Sequence, residues 1–470
     1  MVFNSLTFAV FFVVFFVAYW GLPARRRTVL LLVGSYIFYG WWDWRFLSLI
    51  AVSTLVDYSI GLAMAANDHD ERVRRRLLLT SLVVNLGILG LFKYANFFVD
   101  GFRDVMGAFG YDASDDAVID VLLPVGISFY TFQTLSYTFD VYRRRIEPRR
   151  NLLIFATYVA YFPQLVAGPI ERAQNLLPRI ENIDRPFPKS RQIESGLGLI
   201  VLGLLRKVVL ADGAGRVANA VFDDPGGFSW IMVIIGILAF SVQIYGDFAG
   251  YTDIARGVSR LLGIELVVNF RQPYLSRNIT EFWRRWHISL SDWLRDYLYI
   301  SLGGNRKGVT RTYLNLMTTM LLGGLWHGAS WNFVIWGGLH GLYLVIHKAT
   351  RGGRVNPNDP TAIDIPAVAL TFVVATLTWV PFRAATLSDT IDVFRSLFNT
   401  SGFIDWGDVA LVSALATVSF LIDLAQRRVA TERLRPSNAP MLTGAVLAMA
   451  VGAIIIFSGG APQPFIYFQF

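Results

Sequence analysis

His287 and His327 stand 40 residues apart, each inside a short run containing tryptophan and serine and set among apolar residues. The first run reads Phe282-Trp-Arg-Arg-Trp-His-Ile-Ser-Leu-Ser291, the second Leu325-Trp-His-Gly-Ala-Ser-Trp-Asn332. An imidazole changes protonation near neutral pH, so it can take up or deliver a proton during a reaction. The stretch around His327 is apolar enough to lie in a bilayer, where an ionisable side chain costs a few kcal/mol or more and usually serves function. The chain has only five histidines, and this pair is the candidate for its chemistry. The plainer alternative stays open for both: a core histidine bonded to a carbonyl, or, for His327, a histidine satisfying carbonyls at a helix end.

Other chemistries find no support. There is no cysteine, which excludes disulfides, thiolate catalysis, cysteine metal sites and an acyl group carried on a cysteine of this chain. No HExxH spacing or paired carboxylates point to a metal, and neither GxSxG nor a Walker A sequence occurs. His340 and His347, seven residues apart, could share a helix face; His347, beside Lys348 and Arg351, reads as interfacial, and His69 lies in a hydrophilic loop. The loop Gly303-Gly-Asn-Arg-Lys-Gly308 is basic and glycine-rich. Its Asn305, Arg306 and Lys307 could contact the phosphates of a cytoplasmic donor, although the loop matches no phosphate-binding pattern and an ordinary cytoplasmic turn explains it better.

The elements that must position these residues belong to a membrane. Hydrophobic residues make up 54% of the chain and charged ones only 16%, with a mean hydropathy of +0.47. The net charge of +8 does not indicate nucleic acid, because the arginines cluster in short loops between apolar runs. Apolar segments lie near 2–20, 28–42, 46–66, 77–99, 120–141, 193–211, 229–247, 312–328, 331–348, 362–382, 406–425 and 440–459. We therefore expect an all-α polytopic membrane protein, one domain over 1–470, with about eleven or twelve crossings. The first run is read as a retained helix with its N-terminus outside. Arginines on every second loop (Arg25–Arg27, Arg74–Arg76, Arg143–Arg145) against an acidic loop at 100–120 place the arginine loops in the cytoplasm.

Three segments should depart from simple spans. Residues 151–170 carry Pro163 and Gly168-Pro169 and precede a basic stretch, so a re-entrant helix broken at Pro163 fits better than a crossing. Residues 281–300 suit one amphipathic helix at the membrane surface. Its charged arc would hold Glu281, Arg284, Arg285, Asp292, Arg295 and Asp296 on a solvated face, and its apolar arc would turn His287 into the protein. Residues 312–348 would form a helix about 55 Å long at 1.5 Å per residue, too long for a bilayer, and so should break at 328–332 beside His327. Gly323 and Gly324 then permit close approach of a neighbouring helix or a substrate.

Four stretches make the chain resemble the membrane-bound O-acyltransferases (MBOAT), in particular the alginate and peptidoglycan O-acetyltransferase membrane subunits of bacteria. They are Phe162-Pro-Gln-Leu-Val-Ala-Gly-Pro-Ile170, Asp247-Phe-Ala-Gly-Tyr-Thr-Asp-Ile-Ala-Arg-Gly257, the His287 run continuing to Asn305, and the His327 run; the ending Pro464-Phe-Ile-Tyr-Phe-Gln-Phe470 agrees. The resemblance implies that His327 is the essential histidine and His287 the second polar position. It also implies a ring of helices with re-entrant and interfacial helices around a central tunnel. Trp286, Trp326 and Trp331 would wall that tunnel, with Ser289 and Asn332 beside them. No cofactor would be held permanently. The donor would be a cytoplasmic thioester, acetyl-CoA or the phosphopantetheine of an acyl-carrier protein. His327 would act as general base, and His287 would orient the reacting groups or donate to the thioester carbonyl. The acceptor would be a hydroxyl of an extracytoplasmic polysaccharide or of a periplasmic or extracellular relay protein, at the bacterial inner membrane and among its lipids. A glycan or lipid transporter, or a non-catalytic scaffold for an exported acetyltransferase, remains the alternative.

Overall fold

The computed structural model describes residues 1–109, 123–166, 168–182, 184–351, 364–429, 440–459 and 464–466. Among the described residues the chain is helical, apart from one isolated bridge between Phe228 and Phe403. Most of the acidic loop and the last four residues of the chain lie outside the described set. The helices group into two compact units.

The first unit comprises Met1–Phe187 with Leu262–Glu265 and Gly328–Ser330. Its helices are α1 (Leu6–Gly21), α2 (Ala24–Asp43), α3 (Leu47–Ala66), α4 (Glu71–Leu89), α5 (Ala95–Ala108), α6 (Ile127–Tyr142), α7 (Leu152–Ala160), α8 (Phe162–Leu165) and α9 (Ala173–Glu181). A π-helical turn at Gly90–Tyr94 joins α4 to α5. Helices α3, α4 and α6 are tied by a buried polar knot. Asp57 accepts from Ser81 Oγ (2.5 Å), Thr138 Oγ1 (3.2 Å) and Asn85 Nδ2 (2.9 Å). Buried away from water, these groups must find their partners within the protein, and so they fix the register of the three helices.

The break expected at Pro163 is present. Tyr161 leaves the helical region with ψ 107°, and Pro163 sits in the first turn of α8, where its missing N–H costs nothing. Phe162 is then driven in among Phe11, Phe15 and Phe38. The basic stretch that follows is anchored as well: Arg185 donates to the Gly263 carbonyl (2.6 Å), and Arg179 donates to that of Glu265.

The second unit holds the rest. Its helices are α10 (Ser190–Leu204), α11 (Asp212–Asp223), α12 (Trp230–Leu261), α13 (Ile279–Trp283), α14 (Ile288–Trp293), α15 (Val309–His327), α16 (Trp331–Arg351), α17 (Ile365–Arg383), α18 (Leu387–Ser396), α19 (Trp406–Val429) and α20 (Pro440–Phe457). At 32 residues, α12 is about 48 Å long and continues well past the expected 229–247 segment. Its extension carries the Asp247–Gly257 stretch, whose carboxylates are engaged by two neighbouring cations on a π-helical run, Leu205–Ala211. Lys207 pairs with Asp247 (2.8 Å) and Asp212 (2.7 Å), while Arg206 pairs with Asp253 (2.5 Å) and Asp423 (3.3 Å). Because α10 and α12 touch through glycine, the cations reach these acids directly. A Cβ on Gly203 would lie 2.5 Å from the Gly250 carbonyl oxygen, and one on Gly250 2.7 Å from that of Gly203.

Among the described residues, five helical stretches are long and apolar enough to cross a membrane by length and composition: Ala24–Ala66, Glu71–Gly107, Trp230–Leu261, Ile365–Arg383 and Trp406–Arg427. This is a multi-pass membrane architecture.

Candidate functional site

The break expected beside His327 is also present: α15 ends at His327 and α16 begins at Trp331. The two helices fold back on each other through glycine. A side chain at Gly324 would collide with the Phe333 carbonyl, and a Cβ on Gly337 would lie 3.2 Å from the Gly324 Cα. Gly324 therefore serves the neighbouring helix. The turn leaves His327, 3% exposed, at the end of α15. Its ring stands edge-on to Trp326 (5.0 Å between centroids), Trp336 (5.0 Å) and Phe382 (5.4 Å).

The single amphipathic helix expected over 281–300 is not formed. Helix α13 stops at Trp283, His287 takes a left-handed backbone conformation (φ 42°), and α14 starts only at Ile288 before a π-helical run, Leu294–Tyr299. Tertiary pairing overrides the local period. Arg271 N donates to the Arg285 carbonyl and Ile288 N to that of Asn269, both at 2.9 Å, so the 269–271 segment holds the turn open. Glu281, assigned to the solvated face, is instead 3% exposed and clamped between Arg277 (3.1 Å) and Arg285 (2.7 Å). A single carboxylate between two guanidinium groups can be buried because its charge is matched.

His287 does turn inward, as expected, and is fully buried. Phe248 meets its ring edge-on at 4.5 Å, and Trp326 lies 6.1 Å away. Trp326 is thus the neighbour common to both histidines, which are separated by at most the sum of their distances to it. Trp286 is buried against Trp379 (4.9 Å), Phe270 (5.1 Å) and Phe282 (5.6 Å). Ser289 gives its Oγ proton to Asn269 Oδ1 (2.9 Å), and Asn332 donates to the Ala384 carbonyl (2.7 Å), linking the start of α16 to the end of α17.

One residue expected in the wall is not there. Trp331, assigned to a buried wall, is 59% exposed at the first turn of α16, because the helix hairpin turns Trp336, not Trp331, toward His327. The exposed Asn305, Arg306 and Lys307 precede α15, whereas His327 ends it, so the length of this helix, about 27 Å, lies between them. The structure does not bring this loop to the histidines.

Trp336 and Asn269 escaped the sequence reading, and His340 was named there only for its spacing to His347. Trp336 lies 4.8 Å from His340, itself fully buried, and that imidazole receives the Trp283 indole N–H at Nδ1 (3.2 Å) and meets Thr378 Oγ1 through Nε2 (3.0 Å). The i,i+4 spacing of Trp336 and His340 was the available signal. Asn269, eighteen residues before His287, offered none. His347 contacts Thr280 Oγ1 through Nδ1 (2.8 Å). No group of three or more potential metal ligands occurs among the described residues.

Chemically, the arrangement holds two imidazoles buried among aromatic rings, groups of a kind that can take up or deliver a proton. Comparison with known proteins identifies the class. Residues 36–382 match the membrane-bound O-acyltransferase family. The chain is 41% identical, over the full length of both sequences, to the Pseudomonas putida protein named "Probable alginate O-acetylase AlgI". It is 34% identical to the Helicobacter pylori peptidoglycan O-acetyltransferase, over 86% of this chain and 80% of that one. The Streptococcus thermophilus teichoic acid D-alanyltransferase is 30% identical over 48% of this chain and 57% of its own. The chain belongs to the membrane-bound O-acyltransferase family. It is a multi-pass membrane enzyme that transfers an acyl group from a donor substrate to oxygen.

Proposed function

We propose that this enzyme moves an acetyl group from a cytoplasmic thioester to a hydroxyl of an extracytoplasmic polysaccharide, directly or through a partner relay protein, at the bacterial inner membrane. The observation that carries the catalytic reading is the burial of His287 and His327 against one shared ring, Trp326. The names of the relatives supply the acetyl group and the glycan. The donor is a phosphopantetheine thioester, acetyl-CoA or an acylated carrier protein. The arginine loops face the cytosol, and both units serve this one activity.

In this reading His327 accepts the proton of the incoming hydroxyl as its oxygen attacks the thioester carbonyl carbon. A tetrahedral intermediate forms, the C–S bond breaks, and the imidazolium returns the proton to the departing thiolate. The ester and a free thiol leave. Trp326, Trp336 and Phe382 orient the imidazole and exclude water, which suppresses hydrolysis of the thioester. Since His327 keeps so little exposed surface, both substrates reach it through a narrow passage from either side. The test is transfer of labelled acetyl from acetyl-CoA in membranes that contain the protein and its glycan acceptor. Labelled glycan that requires His327 supports the reading; label transfer unchanged in His327→Ala at equal protein level overturns it.

A further inference from the structure

We propose that Asn269 is a positioning residue that locks His287 in its Nδ1–H tautomer, so that the neutral ring meets the substrate as a hydrogen-bond acceptor through Nε2. The inference rests on the acyl-transfer site proposed above. His287 Nδ1 lies 3.2 Å from Asn269 Oδ1. The orientation of that amide is set independently: the same atom faces the backbone N–H of Ser289 at 3.1 Å and Ser289 Oγ at 2.9 Å. A backbone N–H requires an acceptor, so the oxygen, not the NH2 group, occupies this position. A carboxamide oxygen has no proton to give, and the proton in its contact with His287 is therefore on Nδ1. The lone pair of the neutral ring is then on Nε2.

The backbone supports the same assignment. His287 sits at φ 42°, a left-handed conformation that costs a non-glycine residue about 1–3 kcal/mol. Pairing of Ile288 N with the Asn269 carbonyl compensates for that cost and keeps the two side chains opposed. His340 provides the contrast. Its Nδ1 faces the Trp283 indole, which can only donate, so the His340 proton is on Nε2, toward Thr378 Oγ1. Two fully buried histidines in one unit thus hold opposite tautomers, each set by one neighbour whose role is unambiguous.

This revises the part given to His287. A neutral ring protonated at Nδ1 does not supply a proton to a thioester carbonyl from Nε2. It receives a hydrogen bond there, from the O–H of the incoming hydroxyl or from an amide N–H in the arm of the donor. Both are the same chemistry, a polar hydrogen pointed at an unprotonated ring nitrogen, and the two sources differ in which substrate's KM depends on Asn269.

The experiment uses full-length protein labelled with [15N]histidine in lipid nanodiscs, with acetyl-CoA and glycan kinetics on the same samples. Two-bond 1H–15N spectra separate the tautomers, and His287→Gln and His340→Gln assign the signals. The expected result is a proton on Nδ1 of His287 and on Nε2 of His340. Asn269→Leu should abolish the preference at His287 while leaving the His340 pattern intact, which also certifies the fold. It should lower kcat/KM by roughly tenfold or more. A raised KM for the glycan assigns the hydroxyl as the group received, and a raised KM for acetyl-CoA assigns the donor arm. Asn269→Asp, whose carboxylate accepts from the same two N–H groups, should restore both tautomer and turnover. A wild-type His287 protonated on Nε2 overturns the proposal, whether or not Asn269→Leu folds. So does a shifted tautomer with unchanged kinetics. The spectra require no turnover, so absence of acetyl transfer in the wild type would sink the functional reading and leave the tautomer assignment standing.

Discussion

Asp57 in the first unit and His327 in the second are both ionisable side chains buried in helical surroundings, yet their neighbours differ in kind. Three strong donors from two other helices, Ser81, Asn85 and Thr138, converge on Asp57, and Asn85 in turn accepts from Ser53 (2.8 Å). Around His327 stand the edges and faces of Trp326, Trp336 and Phe382. A carboxylate surrounded by donors is committed to holding helices together. Aromatic rings packed edge-on fix the plane of an imidazole, and in the proposed reaction that plane sets where its acid–base chemistry is delivered. Burial alone therefore does not separate the proposed base from a group that holds helices together.

The sharpest way to break this contrast is His327→Ala. It should lower acetyl transfer in membranes about 10³-fold, within the range a general base contributes, at an unchanged protein level. Near-normal transfer would make His327 a structural residue like Asp57. Next in size is Asp57→Ala, which strands the buried donors of Ser81 and Asn85 and should cost about 2–3 kcal/mol. The readout is a lower thermal midpoint in detergent, with turnover per folded molecule close to wild type. Lost turnover at an unchanged midpoint would reverse the roles assigned to the two regions.

His340 sharpens the comparison from inside the second unit, since it is buried, ring-enclosed and hydrogen-bonded at both nitrogens. His340→Gln should cost about 1–2 kcal/mol through the weakened Trp283 and Thr378 contacts. Turnover should fall only a few-fold, through Trp336, which touches both His340 and His327. A loss of activity as large as that of His327→Ala would move His340 into the reaction itself. The smallest effect belongs to Trp331→Ala: at an exposed position, stability should stay within about 0.5 kcal/mol and transfer near wild type. A large loss of transfer there would restore Trp331 to the site.

Much of the site was legible in the sequence because its signals are local. A 37-residue apolar stretch must break, and Gly328-Ala-Ser330 is where a helix yields, so the position of His327 at the end of α15 followed from length alone. The inward turn of His287 followed from the apolar residues around it. The break near Pro163 followed from the missing N–H of proline. The left-handed turn at His287 did not, because nothing in 281–300 records that Asn269 and Arg271 will compete for its backbone. The same holds for Glu281, which reads as a surface charge until Arg277 and Arg285 are seen to close on it.

By itself, then, the sequence determined an all-helical membrane protein, the inward placement of two histidines and the points where its helices fail. These follow from hydropathy, chain length and backbone chemistry, which act over one or two turns. Only the tertiary structure decided which tryptophan faces His327, which proton His287 carries and which charges are buried. Those depend on partners such as Asn269, Trp336 and Phe382, brought together by packing between elements that no local periodicity relates.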